Sequence, residues 1–464
     1  MFIGRQNELI KLNKLYDSGK FECAVIYGRR RVGKTTLINE FVKGNDTIFF
    51  TGLETNSGEN LENLSRSIMG LRYGFDSAVP MFRSFQTALD SVYEMAKEKR
   101  IIMVIDEYPY LAASYRGISS LLQIQIDEKY KNSKLMLILC GSSMSFMENQ
   151  VLGYKSPLYG RRTAQFKLLP FDFFEVKDYY SGFNLYDLAT IYGVTGGIPQ
   201  YLALMNDTLS LEDNIKRNFF DPSAYLFEEP SNLLKQEVRE PAYYNAIIRA
   251  IATGSSKNSE ISSKVDLESS ACTVYLKNLI SLGIVKKETP ITEVSTKKTI
   301  YAIEDNMFRF WYRFVPDNAA LIQNGMADRV WKKVEPQLPA FMGKVFEEIC
   351  RQYLWRENAA GRLPVEFVDM GRWWGNDPVN KCETELDIMA YADDNHAIFG
   401  ECKWTNGKVD AAVLDMLITR SELFRYRNKH LYLFSKTGFT DGCLNKANAL
   451  GNVKLITFED MNRS

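Results

Sequence analysis

Residues 28–35 read Gly28-Arg-Arg-Arg-Val-Gly33-Lys34-Thr35, set between the apolar run Cys23–Tyr27 and the apolar-periodic stretch Thr35–Val42. The pattern is G-x-x-x-x-G-K-[ST], and strand, loop, then helix is the setting in which such a loop cradles phosphate. The glycines let backbone N–H groups wrap an anionic chain, and the start of the helix adds partial positive charge. Lys34 can reach the β- and γ-phosphates, and Thr35 can place its hydroxyl on Mg²⁺. Gly28, Gly33, Lys34, Thr35 and Thr36 are therefore the expected nucleotide-binding residues, with ATP and Mg²⁺ as cofactors.

The second element of such a site is Ile101-Ile-Met-Val-Ile-Asp106-Glu107. A buried strand delivers Asp106 to its C-terminal end, where it can bind Mg²⁺ through water, and Glu107 is placed to polarise an attacking water. Ile101–Ile105 and Leu135–Cys140 are uninterrupted apolar runs, as in strands covered on both faces. Thr47–Thr51 reads as a further strand, and Leu61–Leu71 and Met81–Lys97 as helices. Strands alternating with helices predict a parallel α/β sheet.

Beyond it, residues 171–235 read mostly helical, broken at Gly196-Gly197-Ile198-Pro199. Tyr243–Ala252, Ser259–Lys264 and Glu268–Leu282 follow as helices, the last ending at Gly283, a natural cap. Ile284–Thr289 and Thr299–Ile303 read as a hairpin. Ala340–Trp355 has helical apolar spacing. Strands are expected at 364–370, 384–391 and 396–403, then a helix at 409–425 and a strand at 430–435.

On the strand pair sits a second constellation: Asp387, and Glu401 with Lys403. Residues 401 and 403 share a face because strand side chains alternate. A hairpin turning at Asp393-Asp394-Asn395 brings two carboxylates and an ammonium together, with Glu347 on the preceding helix as a third carboxylate. Acidic groups can hold Mg²⁺ against a phosphodiester, and the Lys can orient water or stabilise developing charge. Cys402 points to the opposite face, toward the core. Trp373-Trp374 offers either base stacking or core packing.

These motifs resemble those of archaeal-type AAA+ ATPases with a DEXX-like box, continuing into a C-terminal region of the DUF234 type. Phe2-Ile3-Gly4-Arg5 with Glu8-Leu9 looks like the N-terminal motif near the adenine. Leu139-Cys140-Gly141-Ser142-Ser143 looks like the sensor-1 strand, with Ser142 or Ser143 near the γ-phosphate. Gly160-Arg161-Arg162 looks like the segment carrying an arginine finger, Arg161 being the expected contact in cis or in trans. Gly196-Gly197-Ile198-Pro199 looks like the sensor-2 region of a lid, although Gln200 follows where an Arg is usual. The 240–305 segment resembles a winged helix, with Lys264, Lys277, Lys286, Lys287, Lys297 and Lys298 as phosphate contacts. The C-terminal order of elements resembles the PD-(D/E)XK nuclease core, whose motifs fall on Glu347, Asp387, Glu401 and Lys403.

The resemblance implies an α/β multidomain fold: a P-loop AAA+ ATPase core over 1–170, a helical lid over 171–236, a winged helix over 237–315 and an α/β nuclease-like domain over 316–464. It implies ATP hydrolysis by Lys34, Thr35, Asp106 and Glu107, DNA binding, and Mg²⁺-dependent cleavage by Asp387, Glu401 and Lys403 with Glu347. A nucleotide switch that binds a partner protein or DNA without cutting is the alternative. ATP or ADP and DNA are the expected partners, with a homo-oligomer if a finger acts in trans.

Composition is compatible with this. The chain has 464 residues, about three domains' worth. Lys+Arg (57) equals Asp+Glu (57), so no global basic field advertises nucleic acid. His396 and His430 are the sole histidines, which turns the chemistry toward carboxylates, lysines and metal. Seven scattered cysteines without a CxxC pair fit reduced thiols and a cytoplasmic location. No apolar signal core opens the chain, and no apolar run reaches membrane-spanning length.

Overall fold

The computed structural model describes residues 3–74, 81–292, 298–378, 380–392 and 395–463. Phe2, Lys297 and the Asp393-Asp394 turn lie outside the described residues. The chain forms two compact units, Met1–Phe171 with Ile198–Gln200, and Asp172–Gly197 with Tyr201–Ser464.

The first unit is built on five strands: β1 (Glu22–Tyr27), β2 (Thr47–Thr51), β3 (Ile101–Asp106), β4 (Leu135–Gly141) and β5 (Ala164–Lys167). Their order is β2-β3-β4-β1-β5 and every pairing is parallel, as expected. Every residue of β1, β3 and β4 is buried, because helices cover both faces. Side-chain alternation divides β1 between two cores. Cys23, Val25 and Tyr27 pack with the helices Ser57–Tyr73, Phe85–Glu98 and Ile118–Glu128. Ala24 and Ile26 pack with Gln6–Asp17 and Lys34–Val42. Since β1 and β3 flank β4, the loops after all three strands meet at one edge of the sheet, the place where open parallel sheets bind ligands. Strand β5 escapes the sequence reading because it is a short edge strand with one buried side chain, Phe166.

The second unit begins with helices Phe173–Tyr179, Leu185–Thr195, Leu211–Phe219 and Tyr225–Glu237. Leu185–Thr195 is buried on nearly every side, and a Cβ on Gly193 would stand 3.0 Å from Met342 Sδ, so this glycine permits close helix packing. Helices Pro241–Ala252, Asn258–Lys264 and Ser269–Ser281 precede the antiparallel hairpin of β6 (Val285–Glu288) and β7 (Ile300–Ile303). That is the helix–helix–helix–hairpin order read from the sequence.

After the helices Asn306–Phe314 and Leu338–Ala359 comes a mixed sheet of β8 (Asp369–Asp377), β9 (Cys382–Tyr391), β10 (His396–Lys403), β11 (Asn428–Ser435) and β12 (Val453–Thr457). Its order is β12-β11-β10-β9-β8, antiparallel through β8-β9-β10 and parallel through β10-β11-β12. The strand expected at 364–370 lies instead at Asp369–Asp377. Gly371, Gly375, Asn376 and Asp377 gave that segment a turn-like composition, and a register shift between Gly371 and Trp373 breaks its alternation. Val365 and Phe367 are loop residues; Phe367 is apolar because it packs on Trp355, with ring centroids 4.6 Å apart. The expected helix 409–425 is shorter, Ala411–Ser421, and the helix Asp441–Leu450 with β12 adds a unit the sequence reading omitted. Trp373 takes the core reading, edge-on to Phe424 at 4.9 Å. All seven cysteines are free thiols. Among the described residues no helix is long and apolar enough to cross a membrane.

Candidate functional site

The loop after β1 has the shape its glycines allow. A Cβ on Gly28 would stand 2.4 Å from Leu168 O, so no side chain fits there. Gly33 takes φ 87° as it opens the helix Lys34–Val42, a conformation natural to glycine. Arg5 braces the loop from outside: its guanidinium donates to Val32 O at 3.4 Å and to Leu169 O, and lies over the Phe171 ring.

Inside the loop, Lys34 is 6% exposed and donates from Nζ to Gly28 O at 3.0 Å and Arg29 O at 2.9 Å. Burial lowers its pKa, and Glu107 and Asp106 oppose the shift. Thr35 Oγ1 donates to Asp106 Oδ2 at 2.9 Å. Thr36 is exposed beside it. A buried ammonium, a helix N-terminus and a hydroxyl–carboxylate pair form a donor set suited to a polyphosphate and a hard divalent cation.

Glu107 has a left-handed backbone, φ 47° and ψ 47°, unusual for a non-glycine residue. Its carboxylate accepts from Ser142 Oγ at 3.0 Å and from Ser142 N at 3.3 Å. The structure thus joins Lys34, Thr35, Asp106, Glu107 and Ser142. From the lid motif, Gly196 and Gly197 adopt φ 64° and 68°, and Pro199 Cγ comes within 3.8 Å of where a Gly33 Cβ would stand.

Arg161 does not join this group. Thr163 N donates to Cys23 O at 2.8 Å, which sets the Arg161 segment beside the start of β1, roughly 13 Å of strand from the phosphate loop. The Arg161 guanidinium closes on Asp127, with Nη2 2.7 Å and Nε 3.0 Å from Oδ2. Within its own chain Arg161 thus pairs with Asp127 and stands apart from the Lys34–Ser142 group.

In the second unit, the register pairing Gly400 with Ile388 sets Asp387 opposite Glu401, both buried. Cys402 N donates to Asp387 Oδ2 at 3.0 Å. Burial, then Glu347 and Glu401, push the Asp387 pKa up to about 7. Lys403 Nζ lies 2.6 Å from Glu401 Oε1 and is held above its ordinary pKa by that carboxylate, although burial pulls it down. The four expected residues share one neighbourhood. Yet among the described residues no three His, Cys, Asp or Glu side chains converge closely enough to hold a metal ion. Glu401 also accepts from Arg420 at 3.1 Å, and Glu347 faces Lys344 at 2.9 Å, Arg372 at 3.7 Å and Arg351 at 3.9 Å. The metal set expected from Glu347, Asp387 and Glu401 is thus not assembled as arranged, because cations already take up two of the three. Arg420, Arg372 and Arg351 escaped the sequence reading; they belong to no local motif, and the fold alone gathers them.

Residues 2–205 match an ATPase domain found predominantly in Archaea, and residues 311–414 match a family of archaeal and bacterial proteins of unknown function. The chain is 35% identical over 410 residues to the uncharacterized protein MJECL04 of Methanocaldococcus jannaschii, covering 88% of each. A shorter likeness, 44% over 43 residues, is to the uncharacterized ATP-binding protein MJ0423 of the same organism, covering 9% of this chain and 73% of that one. Among solved structures, the Walker-type ATPase PABY2304 of Pyrococcus abyssi shares the fold, with a TM-score of 0.52 and 20% identity over 67% of this chain and 96% of that one. The chain belongs to the archaeal P-loop ATPase family in which the nucleotide-binding domain precedes this C-terminal region of unknown function, and it is an ATPase of that type.

Proposed function

We propose that this ATPase acts on DNA through its second unit, and that the Asp387–Glu401–Lys403 site cleaves phosphodiester bonds. In the first unit, bound Mg²⁺ would be held by Thr35 and Asp106 and would supply charge neutralisation on the β- and γ-phosphates. Lys34 binds those phosphates, Glu107 orients the attacking water, and Ser142 fixes where the Glu107 carboxylate points. Gly28, Gly33 and Thr36 line the phosphate path.

In the second unit the observation that carries the reading is the strand pair: two buried carboxylates opposite one another with an ammonium on the same face. Burial, then Glu347 and Glu401, push the Asp387 carboxyl up to about 7, which makes it receptive to a cation or a proton. Lys403 is the group that can steady a water or the charge developing on a phosphate oxygen. The experiment is plasmid conversion by the full chain with Mg²⁺ or Mn²⁺, with and without ATP, beside Glu401→Ala and Lys403→Ala. Cutting by the wild type that both variants lose is expected. Equal inertness of all three proteins overturns the cleavage reading.

One observation favours a second reading, a nucleotide switch that binds DNA or a partner protein without cutting. Lys403 and Arg420 already neutralise Glu401, and three cations surround Glu347, so the site is charge-compensated without metal. In that case ATP shifts DNA or partner binding in the same assay series while no plasmid is converted.

A further inference from the structure

The cations of the second unit are unevenly placed. On the helix Ser269–Ser281 the exposed positions Ser269, Ser270, Val274, Lys277 and Asn278 carry a single charge. Six cationic side chains instead line one cleft of about 210 Å³ bounded by the β6–β7 hairpin and the helices Asn306–Phe314 and Leu338–Ala359: Lys286, Arg309, Arg313, Lys344, Arg351 and Arg372.

Carboxylates account for four of them. Lys286 meets Glu288 at 2.7 Å, Lys344 meets Glu347 at 2.9 Å, Arg351 meets Glu348 at 3.5 Å and Arg372 meets Glu288 at 3.3 Å. Glu304, also on the cleft wall, is exposed to solvent. Among the described residues, Arg309 and Arg313 have no carboxylate at ion-pair distance. Arg313 is exposed at the cleft mouth. Arg309 lies deeper, its guanidinium carbon 5.0 Å from the centre of the Phe341 ring, and its Nε and Nη2 are buried with no hydrogen-bond partner among the described residues. Burial brings its pKa down to about 10, and Glu348 and Glu347 counter that only at longer range.

Buried donors left unpaired are costly, and natural folds leave them so where a ligand or ordered water completes them. Nε and Nη2 form one edge of the planar guanidinium fork, which matches two oxygens of a single oxyanion. The cleft is smaller than the ~300–1,000 Å³ pockets that take drug-sized molecules. It has room for a phosphate group and the start of whatever bears it.

We infer that this cleft is a binding site for an oxyanion of the phosphate class, gripped by the Nε–Nη2 edge of Arg309 with Arg313 and Lys344 at its mouth. Glu347 lines the same cleft, so a phosphate seated there stands beside the third carboxylate of the C-terminal constellation. The phosphate can belong to a nucleic-acid strand or to a small phosphorylated molecule. The strand source rests on the DNA reading above; the site itself does not.

The test uses the full chain in EDTA with excess ADP, so that cleavage is absent and the phosphate loop is occupied. One arm follows a labelled single-stranded oligonucleotide by fluorescence anisotropy, and the other titrates inorganic pyrophosphate by calorimetry. Arg309→Lys keeps the charge and removes the fork; Arg313→Glu reverses a charge at an exposed position that the fold tolerates. At least tenfold weaker binding of a probe in both variants, with thermal unfolding within a few degrees of wild type, is expected. Loss in the oligonucleotide arm assigns the site to a strand, and loss confined to pyrophosphate assigns it to a small phosphorylated molecule. If Arg309→Lys fails to fold, Arg313→Glu alone decides. Unchanged affinity for both probes, or no binding of either by the wild type, overturns the inference and leaves the cleft to water. A protein that cuts no DNA can still pass this test, so the two proposals fail separately.

Discussion

Glu107 concentrates the first unit's chemistry in one side chain. Its left-handed backbone costs about 1–3 kcal/mol for a non-glycine residue, and the two bonds from Ser142 help to hold it. Ser142→Ala removes the hydroxyl bond while leaving Lys34 and Thr35 untouched. ATP affinity is expected to stay near wild type while the turnover number falls about tenfold to hundredfold; a raised KM at unchanged kcat would contradict the positioning role. Gly28 is a packing constraint of another kind. Gly28→Ala forces a Cβ onto Leu168 O, which should cost about 1–3 kcal/mol and lower the melting temperature. An unchanged melt would show that the loop has another conformation open to it. At this scale the motif residues were legible, because phosphate chemistry prescribes their types and spacing. The Arg5 bond to Val32 and the Arg420 bond to Glu401 were not, since their partners lie 27 and 19 residues away in sequence.

Strands and helices were legible wherever one period dominated. The buried strands β1, β3 and β4 are apolar without interruption over Cys23–Tyr27, Ile101–Ile105 and Leu135–Cys140, which is what made them readable. β8 was misplaced because glycines and a register shift hid it, while Val365 and Phe367 mimicked a strand from within a loop. The pair β9–β10 carries the clearest element-level expectation. Burial, then Glu347 and Glu401, push the Asp387 carboxyl up to about 7 in the folded chain, against about 4 for an unfolded one. Its folded value is the higher one, so the stability it contributes is fully present below about pH 4 and is lost as pH rises through about 7. Melting in EDTA at pH 5 and pH 8 should show a larger fall for the wild type than for Asp387→Asn. Equal falls would mean that the carboxyl is not held neutral by its neighbours.

Across the whole molecule, zero net charge conceals strong local asymmetry. The phosphate loop and the Arg309 cleft are basic, the Asp387–Glu401 pair is acidic, and the sum over the chain cancels them. The Arg161 pairing with Asp127 joins residues 34 apart in sequence, and no local motif displays such a partner. The most direct measurement is steady-state ATP hydrolysis by the full chain and by Lys34→Ala. Loss of Lys34 should reduce turnover at least about a hundredfold, since it is the buried cation of the phosphate loop. Hydrolysis at the wild-type rate in Lys34→Ala would contradict the assignment of residues 28–35 as the site where ATP is bound and split.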